Sequence, residues 1–195
     1  SVTYIAVYRL LNELLKNKFH VDTTIVDTSD LEAVKKAIRP NTKLVHIETP
    51  GNPTLTISDI RAIADIAHEN GALLSVDNTF ASPYNQRPIE LGADFTVESL
   101  TKYINGHGDA MCGAIIGKKK YLDIIRTQSQ VNLGATISPF NAWLIMRGAV
   151  TLPLRMRQHN ANALQVAKYL QTVKGVSFVA YPGLETHKGH EIAAE

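Results

Sequence analysis

Short apolar segments alternate with helical patterns over residues 31–98, and this alternation restricts the possible folds more than any other feature of the sequence. Segments 44–49, 72–76 and 95–98 are four to six residues long and rich in apolar and β-branched side chains, which indicates strands. Segments 31–38 and 60–67 carry apolar residues at helical spacing. Continuous apolar strands that alternate with helices are typical of parallel sheets. We therefore predict an α/β fold in which helices cover both faces of a mostly parallel sheet.

Further elements are predicted before this region. Residues 4–17 have apolar side chains at helical spacing, which predicts an amphipathic helix. Residues 19–26 are rich in β-branched residues and are expected to form a strand. Ser29, with Glu32 three positions later, matches a capping box and predicts the start of the helix at 31–38.

The last third of the chain has long helical patterns in place of the strand–helix alternation. Residues 140–150 and 155–171 have helical patterns, and residues 176–181 are expected to form a strand that opens a second unit. We therefore predict two domains. Residues 1–150 would form part of a large domain, and residues 151–195 would begin a smaller C-terminal α+β domain.

Composition narrows the functional class. The 20 Lys and Arg residues are scattered and nearly balanced by 18 Asp and Glu residues, which argues against nucleic-acid binding. A single cysteine, Cys112, cannot form an internal disulfide and fits a reducing cytoplasm. No apolar stretch is long enough to predict a membrane span, and no signal peptide is expected. The chain lacks an initiator methionine and stops within a helical pattern, so a fragment or a processed chain is expected.

Polar side chains gather where three predicted strands end. They lie at 48–52, 77–79 and 99–102, and the carboxyl ends of parallel strands meet at one edge of a sheet. Asn52, Asp77 and Lys102 are therefore expected to converge. An aspartate after a buried strand needs a cation or several donors. Lys102 could supply that cation as a buried ion pair.

A cofactor is the alternative partner for both residues. A pyridinium nitrogen would face Asp77, and an aldehyde carbon would condense with Lys102. Pyridoxal phosphate (PLP) has both groups. The hydroxyls of Ser99 and Thr101 flank the lysine and could donate to the phosphate, while Asn52 could donate to the phenolic oxygen.

The motifs at these positions resemble the cystathionine γ-synthase, cystathionine γ-lyase and methionine γ-lyase family of PLP enzymes. The matching segments are E48-T-P-G-N-P53, V76-D-N-T-F-A-S-P-Y84, S99-L-T-K-Y-I-N-G-H-G-D109, S138-P, M146-R-G148 and T151-L-P-L-R-M-R157. The resemblance implies PLP fold type I, as in aspartate aminotransferase.

The resemblance also implies a role for each site residue. Lys102 would carry the cofactor covalently, Asp77 would face the ring nitrogen, and Asn52 would bind the ring hydroxyl. Ser99 and Thr101 would bind the phosphate. Two further positions lie near the ring: Tyr4, which would stack on it and transfer protons, and Glu48.

The sequence departs from the family pattern in several places. Residues 4–7 read Tyr-Ile-Ala-Val where the family has Tyr-Gly-x-Thr, and Glu98 stands where histidine is common. The family's glycine-containing phosphate turn and its carboxylate-binding arginine fall outside these 195 residues. Further phosphate ligands come, in the family, from a neighbouring subunit.

The expected function is γ-elimination or γ-replacement on a sulfur amino acid, as in carbon–sulfur lyases and transsulfuration enzymes. The expected partners are a small amino-acid substrate and further copies of the chain, as a homodimer or homotetramer. The alternative is a truncated, catalytically incompetent PLP-fold fragment or interaction module. A nucleotide-binding Rossmann domain is the third hypothesis.

Three smaller signals point to ordinary structure. His107 and Asp109 offer only two ligands in a glycine-rich turn, so no metal site is predicted. Gly106 and Gly108 do not follow a strand in the dinucleotide-binding register, which disfavours an NAD site. His46 alternates into a predicted strand and is expected to be a satisfied core histidine.

Overall fold

A four-stranded sheet lies at the centre of the computed structural model, which describes residues 3–194. Its strands, in spatial and chain order, are β1 (Leu44–Glu48), β2 (Leu73–Asp77), β3 (Phe95–Ser99) and β4 (Gly113–Gly117). The first three are parallel, and β4 runs antiparallel to β3. The prediction of an α/β fold with a mostly parallel sheet is confirmed.

Helical segments connect and follow these strands. In chain order they are α1 (Ile5–Arg9), a π-helical segment (Leu10–Leu15), α2 (Lys16–Phe19), α3 (Leu31–Ala37), α4 (Ile60–Glu69), α5 (Ser82–Asn85), a 3₁₀ turn (Pro88–Leu91), α6 (Lys119–Ile124), a second π-helical segment (Ile125–Gln130), α7 (Val131–Leu133), α8 (Pro139–Ala149), α9 (Leu152–Thr172) and α10 (His190–Ala194). Within residues 3–194, no helix combines the length and apolar character needed to cross a membrane.

Helix α4 builds the main core by packing on one face of the sheet. Its apolar side chains recur at positions 60, 63, 64 and 67, so they share one side of the helix. The Asp59 carboxylate caps the helix by accepting a hydrogen bond from the Ala62 amide at 3.0 Å. Gly71, just after the end of the helix, has a φ of 70°, a conformation that glycine adopts without strain. The core contains Ile47, Ile60, Ile63, Ala64, Ala67, Ala72, Leu74, Val76 and Ala93.

The opposite face of the sheet is more open. Because side chains alternate along strands, Phe95 lies on this face, in register with Ser75. Its ring packs on Tyr121 of α6, with the ring centres 5.4 Å apart. Asp77 and Val97, which pair two positions further along the same strands and lie on the same face, are only partly buried. This face leads directly to the strand ends where the predicted site lies.

The two outer strand predictions are wrong. Residues 20–28 contain no helix or strand, and a cavity of about 420 Å³, lined by this segment, α3 and β1, lies beside them. Residues 176–181 also join no sheet, and Phe178 is 79% exposed. β-branched residues favour extended backbone, but a strand also needs a hydrogen-bonded neighbour. Neither segment has one within residues 3–194. The domain boundary after residue 150 stays a prediction, and α9 begins close to it.

Residues 27–30 were expected to cap the helix at 31–38, but the capping box predicted at Ser29 and Glu32 is wrong. Asp30 is the N-cap of α3, and its carboxylate accepts hydrogen bonds from the amides of Glu32 and Ala33. Ser29 instead donates its hydroxyl and its amide to the Asp27 carboxylate. A carboxylate two residues before Ser29 therefore takes the serine out of the capping position.

Candidate active site

The ends of the three parallel strands lie at one edge of the sheet. Glu48 is paired in register with Asp77, and Asp77 with Val97, so Ser99 follows two residues beyond this row. Thr79 links the second and third strand ends, because its hydroxyl accepts the Ser99 amide hydrogen bond at 2.8 Å. The parallel order thus brings the predicted polar residues to the same edge.

Glu48 organises the first strand end. One carboxylate oxygen accepts a hydrogen bond from the Asn52 amide at 2.9 Å, and the other accepts from the Tyr4 amide at 2.7 Å. Burial raises the pKa of Glu48, and these two donors oppose the rise. The carboxylate therefore joins two other predicted site residues through their backbones. A cleft of about 500 Å³ opens between Tyr4 and Asn52.

Asp77 ends the second strand as a half-buried carboxylate. Its Oδ1 accepts a hydrogen bond from the Thr79 amide at 3.0 Å. Within residues 3–194, Asp77 forms no ion pair with Lys102 or with any other cationic side chain. The ion pair considered from the sequence is therefore absent from the described chain. Asp77 is left as a partly buried anion that a cationic group could reach.

Lys102 lies in the turn that follows β3. Its amide donates to the Ser99 carbonyl at 3.0 Å, and its own carbonyl accepts from Gly106 at 2.7 Å. The Asn105 amide closes the same turn on the Leu100 carbonyl at 2.9 Å. The Lys102 side chain is exposed and has no carboxylate partner in the part of the chain that the structure describes. A held backbone with an exposed primary amine suits covalent attachment to an aldehyde.

The two hydroxyls beside the lysine differ in their surroundings. Thr101 donates to the Cys112 carbonyl at 3.2 Å and accepts from the Cys112 amide at 3.0 Å. Its single proton is thus already engaged, and binding a phosphate would require that bond to exchange. Ser99 is partly buried, and no side-chain hydrogen bond of its hydroxyl is found within residues 3–194. The Ser99 hydroxyl is therefore the one ready to donate.

These residues fit PLP in chemical type. The site offers an unpaired carboxylate for a pyridinium, an exposed amine for an aldehyde and a hydroxyl for a phosphate. The observation that decides the fit is Asp77, because a partly buried anion without a cation among the described residues favours a positively charged ligand.

Sequence analysis noted Glu98 as a departure from the family pattern but did not predict its burial or its hydrogen-bond network. Glu98, 4% exposed, accepts a hydrogen bond from the Asn78 side chain at 2.8 Å. The Gln86 amide in turn donates to the Asn78 side chain at 2.8 Å and to the Thr49 carbonyl at 2.9 Å. Burial raises the pKa of Glu98 to about 7, while the bond from Asn78 opposes the rise. The signal that could have pointed to this group was the replacement of the family's histidine by Glu98.

Two histidines can now be placed. His46 contacts the Ser75 hydroxyl at 3.2 Å through Nδ1, but its buried Nε2 has no partner in the described chain, so the prediction of a satisfied core histidine is wrong for that nitrogen. Burial lowers the pKa of His46. His107 donates from Nδ1 to the Asn105 carbonyl at 2.7 Å. Residues 3–194 contain no group of three or more potential metal-binding side chains.

The chain resembles PLP-dependent lyases over almost its whole length. It is 54% identical, over 99% of its length, to canavanine gamma-lyase of Rhizobium leguminosarum bv. trifolii, and 46% identical, over 97%, to L-methionine gamma-lyase of Treponema denticola. It covers 48% of each of these relatives. The chain therefore spans about half the length of the curated relatives that it matches.

A solved structure gives the same result for the fold. Cystathionine gamma-lyase from Lactobacillus plantarum, complexed with L-serine, superposes with a TM-score of 0.95 at 40% identity. The alignment covers 99% of this chain and 50% of the lyase. The family model for Cys/Met metabolism PLP-dependent enzymes matches residues 1–195. The chain therefore belongs to the family of Cys/Met metabolism PLP-dependent enzymes.

Proposed function

We propose that this chain carries the PLP-anchoring part of an enzyme that eliminates or replaces the γ-substituent of a small amino acid. The observation that carries the proposal is the pair formed by Lys102, an exposed amine on a held turn, and Asp77, an unpaired carboxylate at the same sheet edge.

Each predicted residue has a defined task in this proposal. Lys102 holds the cofactor and, once released, accepts and returns protons at its ε-amine. Asp77 keeps a proton on the ring nitrogen, and Asn52 donates to the phenolic oxygen. Ser99 donates to the phosphate, and Thr101 does so once its hydrogen bond to the Cys112 carbonyl exchanges. When bound, PLP supplies an electron sink for a carbanion on the amino acid.

Tyr4 and Glu48 act together at the outer side of the site. Tyr4 stacks on the ring and moves a proton near the leaving group. The side chain of Tyr4 is 53% exposed, while its amide is held by Glu48. Glu48 therefore orients Tyr4 and Asn52 through their backbone amides.

A labelling experiment tests the covalent anchor. The purified protein is incubated with PLP, reduced with borohydride and digested, and the modified lysine is identified by mass spectrometry. We expect one dominant adduct on Lys102 that is lost in Lys102→Ala. Lys168→Ala, which removes an exposed lysine of α9, is the control and should label normally. Equal labelling of many lysines would overturn the assignment.

The substrate class is tested by ketoacid release. The relatives are named for three γ-substituted amino acids, canavanine, methionine and cystathionine, so these form the panel. Ketoacid from one of them, with loss in Lys102→Ala, supports γ-elimination; product only when a second nucleophile is added supports replacement by a transferase. Labelling without any turnover supports the second candidate, an incompetent PLP-fold module.

We further propose a cytoplasmic homo-oligomer, either a dimer or a tetramer. Large apolar side chains project from α8 into solvent, with Phe140, Trp143 and Met146 each more than half exposed. Such a cluster is typical of an interface between protein chains. Light scattering of the purified protein measures its mass, and a monomer at micromolar concentration would exclude the proposal.

A further inference from the structure

Arg155 binds the turn that carries Lys102, although 53 positions separate the two residues. Its Nη1 donates to the Tyr103 carbonyl at 2.6 Å, and its Nη2 donates to the Ile104 carbonyl at 3.1 Å. These two carbonyls directly follow the lysine in the chain. The guanidinium is therefore bonded to the backbone that sets the direction of Lys102.

The same guanidinium is fixed on its other side by the corner between α8 and α9. Nη2 also donates to the Gly148 carbonyl at 3.0 Å, and Nε donates to the Thr151 hydroxyl at 3.0 Å. In the described chain Arg155 forms no ion pair, so its donors serve the backbone and one hydroxyl. Arginine suits this place because its planar group carries five donors in fixed directions, whereas lysine presents its donors from a single atom.

Two glycines show how closely the corner and the turn approach each other. A Cβ at Gly106 would lie 2.2 Å from Nη1 of Arg155, and a Cβ at Gly148 would lie 2.2 Å from the Asn105 carbonyl oxygen. Asn105 itself has no exposed surface. The guanidinium therefore occupies the space beside Gly106 that a side chain would fill.

We propose that Arg155 is a positioning residue for Lys102. By holding the carbonyls of Tyr103 and Ile104 against the α8–α9 corner, it keeps the lysine turn in the conformation that directs the amine to the sheet edge of Asp77. The effect on cofactor attachment rests on the proposed function. The effect on the turn itself does not.

Hydrogen exchange tests the turn in the protein without added cofactor. The amides of Asn105 and Gly106 report on it, because both donate within the turn. Arg155→Met should accelerate their exchange at least tenfold and leave the amides of β2 unchanged. Arg157→Met removes an exposed arginine two residues further along α9 and should change neither. Unchanged exchange in the turn, or equal acceleration in β2, would overturn the proposal.

A glycine pair tests the same contact while keeping the arginine. Gly106 and Gly108 both have positive φ, 76° and 68°, so alanine strains the backbone similarly at either position. Only at Gly106 does the new methyl group meet the guanidinium, because nothing lies within 4 Å at Gly108. Gly106→Ala should lower the yield of the Lys102 adduct with PLP about tenfold, and Gly108→Ala should stay within twofold. Equal losses in both variants would overturn a positioning role. This pair also decides the matter if Arg155→Met does not fold.

The readouts separate this proposal from the proposed function. If the unaltered protein forms no adduct at Lys102 but Arg155→Met still accelerates hydrogen exchange in the turn, the proposed function fails. The proposal that Arg155 stabilises the turn is then still supported. If all variants label alike, the positioning role fails and the covalent anchor stands. Arg155→Lys, which keeps the charge but not the planar donors, should resemble Arg155→Met in both measurements. Behaviour like the unaltered protein would overturn the proposal that the guanidinium donors position the turn.

Discussion

The two faces of the central sheet differ in how completely they are covered. On the face under α4, Ile47, Leu74 and Val76 are at most 1% exposed. On the opposite face, Asp77 at the end of β2 and Val97 of β3 are only partly buried. Successive side chains of one strand therefore have different roles, because they point to opposite faces of the sheet. One set supplies apolar burial, and the other reaches a polar edge that is open to a ligand.

Two carboxylates show what this difference does to a charged group. Glu98 points to the covered face, where burial raises its pKa to about 7 and an asparagine side chain hydrogen-bonds it. Asp77 points to the open face and has one backbone donor, from Thr79. The covered face thus favours a protonated carboxyl group that is hydrogen-bonded by a neighbouring side chain. The open face leaves a carboxylate available for a ligand.

The largest expected effect lies in the covered face. Ile63→Ala removes a side chain of α4 with no exposed surface, which should lower the free energy of unfolding by about 4 kcal/mol through lost burial and a residual cavity. Urea unfolding measures the change. Ile124→Ala, at a 53% exposed position of α6, is the control and should change it by less than about 1 kcal/mol. Similar losses in the two variants would remove the contrast between covered and open regions.

Glu98 gives the next largest effect, and its sign depends on pH. The pKa of Glu98 in the folded protein, about 7, lies above the ordinary glutamate value of 4.5, so between these values the unfolded chain loses its proton first. Stability from Glu98 is therefore full below pH 4.5 and is lost as pH rises to 7, at up to about 1.4 kcal/mol per pH unit. Glu98→Gln, which cannot ionise, should flatten this slope and be more stable at pH 8 by on the order of 3 kcal/mol.

Unfolding by urea between pH 5 and 8 provides the measurement for Glu98. Glu90→Gln changes an exposed glutamate that pairs with Arg87, and it should leave the slope unaltered. If Glu98→Gln keeps the full slope, the buried carboxyl group is not the source of the pH dependence.

The covered face could be predicted because its signals are local. The period of residues 60, 63, 64 and 67 and the break at Gly71 are sufficient to predict α4. The failures at 19–26 and 176–181 have the opposite cause. Their composition favours extended backbone, but strand formation depends on a neighbour that local composition does not reveal.

The candidate site could be placed from the sequence only where polar residues follow a predicted strand. Asp77 and Lys102 follow apolar segments, so parallel topology alone brings them to one edge. The contact of Arg155 with Tyr103 joins residues 52 positions apart, and no periodic pattern encodes it. The sequence also could not show that Nε2 of His46 has no hydrogen-bonding partner among residues 3–194, because alternation predicts burial but not whether a partner is present.

On the open face, Asp77→Asn should weaken PLP binding about a hundredfold, or about 2.7 kcal/mol, because an amide cannot balance a pyridinium charge. A titration followed by visible absorbance gives the affinity. The free energy of unfolding without cofactor should change by less than about 1 kcal/mol, since the side chain is only partly buried. Asp65→Asn, on the exposed side of α4, should alter neither quantity. Unchanged affinity in Asp77→Asn would exclude the carboxylate as the ring-nitrogen partner.

The smallest expected effect lies at the start of α4, where a polar group serves the covered face. Asp59→Ala removes the carboxylate that accepts the Ala62 amide hydrogen bond and should lower the free energy of unfolding by about 1 kcal/mol. PLP affinity should stay unchanged, because the Asp59 carboxylate bonds the Ala62 amide of α4 and none of the predicted cofactor-binding residues. Ser29→Ala, at the position where sequence predicted a cap and the structure has none, should lose less than about 0.5 kcal/mol. A larger loss at Ser29 than at Asp59 would mean that carboxylate caps do not determine these helix starts.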